Sequence, residues 1–269
     1  MTTYLFIDGR HLRKHYQETV QQWFGSDGEI DFRQLKDGFL GGGISRCFYY
    51  DALADEQQQG ESQQDFEARL TKEEAVFNGI EDLDGYFVRL GSVTGLKRNR
   101  RQKKVDILLA VEALDHAVRR NMDRAILLTG DRDFEPLVHS LVQTGIQVHV
   151  AGDKKHTSAH LRRAADASTL LTFDDYYTFT TGSLKARFPL NLRHTNGIVA
   201  PEMAAFRSGS FQGKQATLRR QVFDSGGKVF YIHVKDYDRP GKSLMLESGD
   251  VERLQLYFAL RYGEITWTN

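Results

Sequence analysis

The sequence has a single cysteine, Cys47, so no disulfide can form within the chain. That scarcity fits a reducing compartment. It also lacks net charge, because 36 Lys and Arg balance 36 Asp and Glu. Overall charge therefore points to neither a nucleic acid nor a membrane surface, and any basic patch has to be local. No apolar run approaches the roughly 20 residues needed to span a bilayer. The start, MTTYLFIDGR, reaches a charge by residue 8, too early for a secretory leader. A cytoplasmic protein is expected. His139, His149 and His160 lack the spacing of zinc ligands, and no internal repeat stands out.

Core-forming material is plentiful. Hydrophobic residues make up 40 % of the 269, including 17 Phe and 11 Tyr, which suits one large domain or two smaller ones. Short apolar runs at 4–8, 47–51, 85–93, 124–130 and 146–152 read as buried strands, with Cys47 as a small core residue. Helical patterns lie between and after them, at 64–80, 105–120, 135–145 and 158–168. The second of these aligns Ile107, Leu108, Val111, Leu114 and Val118 on one side. The alternation predicts an α/β fold, a doubly wound, mainly parallel sheet flanked by helices, over residues 1–182.

Residues 185–269 have a different texture and read as a small β-rich domain. Residues 214–236 form a hairpin pattern around Ser225-Gly226-Gly227, and 250–263 reads as a short helix. Basic and aromatic residues mix there: Arg219, Arg220, Lys228, Phe230, Tyr231 and Lys235. A half-buried sheet accounts for them most simply. A substrate-gripping surface and a homodimer interface are both compatible with them.

Acidic residues sit where a doubly wound sheet places its chemistry, at the carboxyl ends of the strands. Asp8 ends the first strand, and Asp131 and Asp133 follow the fourth in ILLTGDRDFEPLV. Asp106 opens the helix at 105–120, on the same edge if the first and fourth strands are neighbours. Each has an ordinary explanation. Asp133 could cap a helix with Pro136 in its first turn, Asp106 could answer a helix dipole, and Asp8-Gly9 could be a turn. Jointly, like charges at one edge raise one another's pKa, and a hard divalent cation relieves this. Just before Asp106 lies a basic string, Lys97, Arg98, Arg100, Arg101, Lys103 and Lys104. It reads as a solvated loop, a targeting string, or a contact for a phosphate backbone.

LFIDGRHL, KKVDILLAVEAL, AILLTGDRDFEPLVHSLVQTGIQVHVAG and HLRRAADASTLL, in this order across residues 4–172, resemble the NYN branch of the PIN-like nuclease superfamily. The resemblance implies metal-dependent cleavage of RNA, with Asp8, Asp106, Asp131 and Asp133 as catalytic metal ligands for Mg²⁺ or Mn²⁺. It also implies a substrate-phosphate contact from Lys104. On that reading the basic string, with Arg10 and His11, would position the backbone, and Arg132 would either steer substrate or simply be solvated. One residue departs from the pattern: His11 stands where relatives usually carry an asparagine. Glu112 lies too far around its helix to join the acids. The competing readings are an inactive PIN-like RNA-binding or scaffold module and a haloacid-dehalogenase-type phosphatase. The phosphatase wants an acid two residues past Asp8, where Arg10 stands.

Overall fold

A computed structural model describes residues 1–53, 57, 60–91 and 100–268. The chain divides into two compact units, one of residues 1–20 and 27–181, the other of 21–26 and 182–269.

The first unit carries six strands: β1 (Thr3–Asp8), β2 (Ile44–Asp51), β3 (Tyr86–Leu90), β4 (Arg124–Leu128), β5 (Gln147–Asp153) and β6 (Ala167–Leu171). All pairings among them are parallel, in the order β3-β2-β1-β4-β5-β6. The order reverses between β1 and β4, so a crevice opens past the carboxyl ends of that pair. The helices are α1 (Gly9–Phe24), α2 (Phe32–Gly38), α3 (Gln63–Glu81), α4 (Arg100–Val118), α5 (Glu135–Gln143), α6 (Ala159–Ala164) and α7 (Phe173–Thr178). The α/β expectation is met, and its physical basis is visible in the burial. Leu5, Phe6 and Ile7 on β1 and Ile126, Leu127 and Leu128 on β4 are all 0–1 % exposed, because both faces of the sheet are covered.

Three local readings are corrected. First, α4 begins at Arg100, so Arg100, Arg101, Lys103 and Lys104 belong to a helix rather than a loop; Lys and Arg are good helix formers. Second, α4 buries only part of the expected apolar stripe: Leu108 and Leu114 pack against the core. Ile107, Val111 and Val118 are 60 %, 59 % and 72 % exposed, while Leu109, Ala113 and Ala117 are buried. The small Ala113 and Ala117, one and two turns past Leu109, let the helix lie close to Phe6 and Phe48, whose rings stack 5.3 Å apart. Third, the helical pattern at 158–168 ends early. Asp166 accepts the Val148 backbone N–H at 2.8 Å, and the chain turns directly into β6.

The second unit contains α8 (Gly182–Arg187), β7 (Arg193–Thr195), β8 (Ala204–Phe211), β9 (Lys214–Val222), β10 (Lys228–Arg239), β11 (Lys242–Ser248), α9 (Val251–Arg261) and β12 (Thr266–Trp267). The strands form one antiparallel sheet in the order β12-β8-β9-β10-β11-β7. Ala216, Leu218, Ile232, Val234 and Leu246 are buried on one face, where Leu254 and Phe258 of α9 supply the packing layer. The Asp250 side chain caps α9 by accepting from the Glu252 and Arg253 N–H groups.

Candidate active site

The site grows from the switch point. The last β1–β4 pair is Ile7 with Leu128, so Asp8 and Thr129 emerge together at the crevice. Thr129 ties the two strand ends. Its hydroxyl donates to Asp8 Oδ2 at 3.0 Å and accepts the Asp131 N–H at 3.2 Å. Asp8 Oδ1 accepts the His11 backbone N–H at 3.0 Å, so the first turn of α1 also fixes this carboxylate. Asp131 caps the short turn Arg132–Phe134 through the Asp133 N–H at 2.9 Å. Capping therefore belongs to Asp131, while the Asp133 carboxylate itself is exposed. Pro136 stands in the first turn of α5, where its missing N–H costs nothing.

The acids feel one another. Burial raises the Asp8 carboxyl above the usual range; the His11 and Thr129 hydrogen bonds oppose this, and the charges of Asp51 and Asp131 add to it. Asp106, in the second turn of α4, is pushed up to about 6 by burial and by the charges of Asp8, Asp131 and Asp133. The four expected acids thus share one electrostatic neighbourhood. Asp8 and Asp131 line a cleft of about 560 Å³, and Asp106 and Asp133 line another of about 380 Å³. Among the described residues, the acid-histidine group whose ligand atoms all come within 4.8 Å of one another is a different one: His15, Asp153 and His156.

Glycine makes the crevice tight. A Cβ on Gly9 would lie 2.5 Å from Asp51 Oδ2 and 2.5 Å from Tyr49 Cζ, so the start of α1 can approach β2 only without a side chain. A Cβ on Gly130 would lie 2.5 Å from the His156 carbonyl oxygen and 2.6 Å from His11 Cε1. Asp51, buried at the end of β2, pairs with Arg13 at 2.7 Å and accepts the Tyr49 hydroxyl at 3.0 Å. It anchors α1 to the sheet rather than facing the cleft.

Beside the acids, the larger cleft is lined by Arg10, His11, Lys14, His15, Arg132, Lys155 and His156. His11 Nε2 is buried and meets no hydrogen-bond partner among the described residues. Burial, with His15 next, lowers the His11 pKa to about 4, so the ring is neutral near pH 7. His15 and His156 stack with centroids 4.1 Å apart and planes at 15°. Their Nδ1 atoms are held by Glu18 and Asp153, at 2.9 and 2.8 Å. With Asp153 they offer a set of ligand atoms of the kind a metal ion takes. The Asp153-x-x-His156 step after β5 and the His11/His15 spacing of four on α1 are the sequence signals for this cluster; they were not read as such.

Lys97 and Arg98 lie outside the described residues, as do the side chains of Arg100, Arg101, Lys103 and Lys104. Arg132 is exposed and pairs with Glu135 at 3.4 Å. Glu112 is engaged by Arg89 at 3.0 Å and by the Tyr50 hydroxyl at 2.9 Å, a structural pairing apart from the acids.

Residues 2–172 match the NYN domain. The chain belongs to the NYN family. An uncharacterized protein of Sinorhizobium fredii is 31 % identical over 93 residues, which are 34 % of this chain and 42 % of that protein. The match thus spans less than half of the curated relative's length. A crystal structure of a protein of unknown function from Vibrio parahaemolyticus is 18 % identical, with a TM-score of 0.46, covering 67 % of this chain and 96 % of that one. The NYN domain is a PIN-like nuclease fold, and here it spans the parallel sheet and the whole crevice at its switch point. No helix among the described residues is long and apolar enough to cross a membrane.

Proposed function

We propose that the NYN domain is a metal-dependent endoribonuclease that hydrolyses RNA phosphodiester bonds. The observation that supports this reading is that Asp8 and Asp131 line one cleft at the switch point of the sheet, and Asp106, lining a second cleft with Asp133, feels the charges of Asp8, Asp131 and Asp133. The donor set fits a divalent cation. It consists of carboxylate oxygens, the ligands that Mg²⁺ and Mn²⁺ prefer, and the Asp8 and Asp106 carboxyls, raised first by burial and then by neighbouring aspartates, carry a cost of ionisation that a cation relieves. Asp8 and Asp131 would hold the cation directly, and the more loosely gathered Asp106 and Asp133 would hold its water shell. When bound, such a cation supplies Lewis-acid activation of water and of the phosphoryl group.

The remaining residues do their work around it. Thr129 and the His11 N–H fix the Asp8 carboxylate so that its oxygens do not reorganise. Arg10, Lys14, Arg132 and Lys155 place positive charge around the cleft, where a polyanion is drawn in and its phosphates are positioned. Neutral His11 lines the cleft, and its backbone N–H holds the Asp8 carboxylate. It takes the place of the amide that relatives usually carry.

The test is cleavage of a fluorescent single-stranded RNA by the full chain in Mn²⁺. Asp8→Asn and Asp131→Asn are each expected to lower the rate at least about 100-fold, the scale of losing a preorganised electrostatic group, with circular dichroism unchanged. A wild type that cuts nothing across metals and substrates, or variants that cut as well as it does, would leave a non-catalytic RNA-binding module as the reading.

A further inference from the structure

The sheet of the second unit leaves part of one face uncovered. Helix α9 has 11 residues and reaches about 16 Å, whereas β10 has 12 residues and reaches about 40 Å. Along β9, Ala216 and Leu218 lie buried beneath the helix layer, and the same face continues to Arg220 and Val222. Those two pair directly with Phe230 and Lys228 of β10. Val222 is 54 % exposed, and Arg220 and Lys228 are exposed.

A bulge adds a ring to this bare end. The β8–β9 register shifts between Ala205 and Arg207, which leaves Phe206 as the unpaired residue, 50 % exposed. Its ring meets Phe230 edge to face at 6.3 Å, and the Arg220 guanidinium sits over it at 5.9 Å. Beside it, Arg207 lies over the Trp267 ring at 5.3 Å. Trp267 in turn lines a groove of about 310 Å³ with Ile232, Leu256 and Phe258.

Charge indicates the occupant. The chain's zero balance splits unevenly: residues 182–269 carry 13 Lys and Arg against 8 Asp and Glu, and residues 1–181 carry 23 against 28. An apolar protein partner would have to bury Arg207, Arg220 and Lys228 against unmatched surface. A strand of unpaired nucleotides needs both features together: cations for its phosphates and ring or guanidinium planes for its bases.

We propose that the Phe206–Arg220–Phe230 surface, with Arg207 and Trp267 beside it, is a stacking platform for single-stranded RNA. The choice of RNA rests on the ribonuclease reading of the NYN domain; the surface itself does not. The experiment is fluorescence anisotropy of a labelled 20-nucleotide oligouridylate with the full chain in EDTA, at several salt concentrations. Phe206→Ala is expected to weaken binding about tenfold with an unchanged salt slope. Arg220→Ala is expected to weaken it similarly while flattening the slope by about 0.7, one phosphate contact on a single strand. A 20-base-pair RNA duplex is expected to bind more weakly than the strand. Should Phe206→Ala fail to fold, Phe206→Leu keeps the apolar volume and removes the ring.

The platform is overturned if folded variants bind like wild type, if wild type does not bind, or if duplex binds as well as strand. It is also overturned if wild type runs as a dimer that Phe206→Ala splits. The two readings fail separately. RNA that is bound through Phe206 but never cut sinks the nuclease alone, and RNA that is cut with binding indifferent to Phe206 sinks the platform alone.

Discussion

Asp106 shows at the scale of one residue what the crevice costs. Its carboxyl is raised from 3.8 to about 6 by burial and three neighbouring aspartates. Between those values the folded chain holds a proton that the unfolded chain has released. Folding stability from this group is therefore present at low pH and declines as pH rises from about 4 to 6. Asp106→Asn removes the penalty. In EDTA at pH 7 the variant is expected to be about 1 kcal/mol more stable than wild type, a figure discounted because the side chain is only half-buried. At pH 4 the two should coincide. Urea denaturation at both pH values measures the difference, and an equal gap at both would show that the neighbours do not strain Asp106. A stabilising substitution at an expected metal ligand marks a position held for chemistry at the expense of the metal-free fold.

At the scale of elements, legibility followed side-chain size and sequence distance. Five of the six described strands of the NYN domain could be read because they hold near-continuous apolar runs, and two of them end in Asp8 and in Thr129-Gly130-Asp131; β6, ASTLL, holds no such run. Adjacency of β1 and β4 then brought distant acids together. The buried face of α4 could be read only in part: Leu108 and Leu114 pack on the core, but Ala113 and Ala117 lie at its centre while Ile107, Val111 and Val118 face outward. Strand β8 was missed because small residues and a bulge blur its alternation. The His15–Asp153–His156 cluster was missed because α1 and the turn after β5 are more than a hundred residues apart. Asp153 makes that turn a rigid wall of the cleft. Buried at 6 % exposure, it accepts the Lys155 N–H and His156 Nδ1, both at 2.8 Å, and the Tyr176 hydroxyl at 3.3 Å. Asp153→Ala strands those donors, and a cost of about 2–3 kcal/mol is expected. Amide exchange at 155–158 should quicken well beyond that of β5. Unchanged protection there would mean that the turn holds its shape without the aspartate.

At the scale of the whole molecule, the two units offer separate reporters for cation binding. The chain has 2 tryptophans, Trp23 and Trp267, and both belong to the second unit. The longest helices, α3 and α4 at 19 residues each, belong to the first. A ligand that binds only folded protein stabilises by RT ln(1 + [L]/Kd), about 2.7 kcal/mol at a hundredfold excess over Kd. For a domain of this size that corresponds to a rise in Tm of about 5–10 °C. If the acids of the first unit hold the cation, Mn²⁺ should raise the melting temperature followed by helical circular dichroism. The transition followed by tryptophan fluorescence should shift less, because Trp267 lies in the second unit and Trp23 at the far end of α1 from the acids. Asp8→Asn and Asp131→Asn should abolish the shift, because each leaves the cation one carboxylate short and removes part of the repulsion it relieves. A wild type indifferent to Mn²⁺, or an Asp8→Asn variant that shifts as far as wild type, would place the cation somewhere other than the switch point, with the stacked His15 and His156 beside Asp153 as the next place to look.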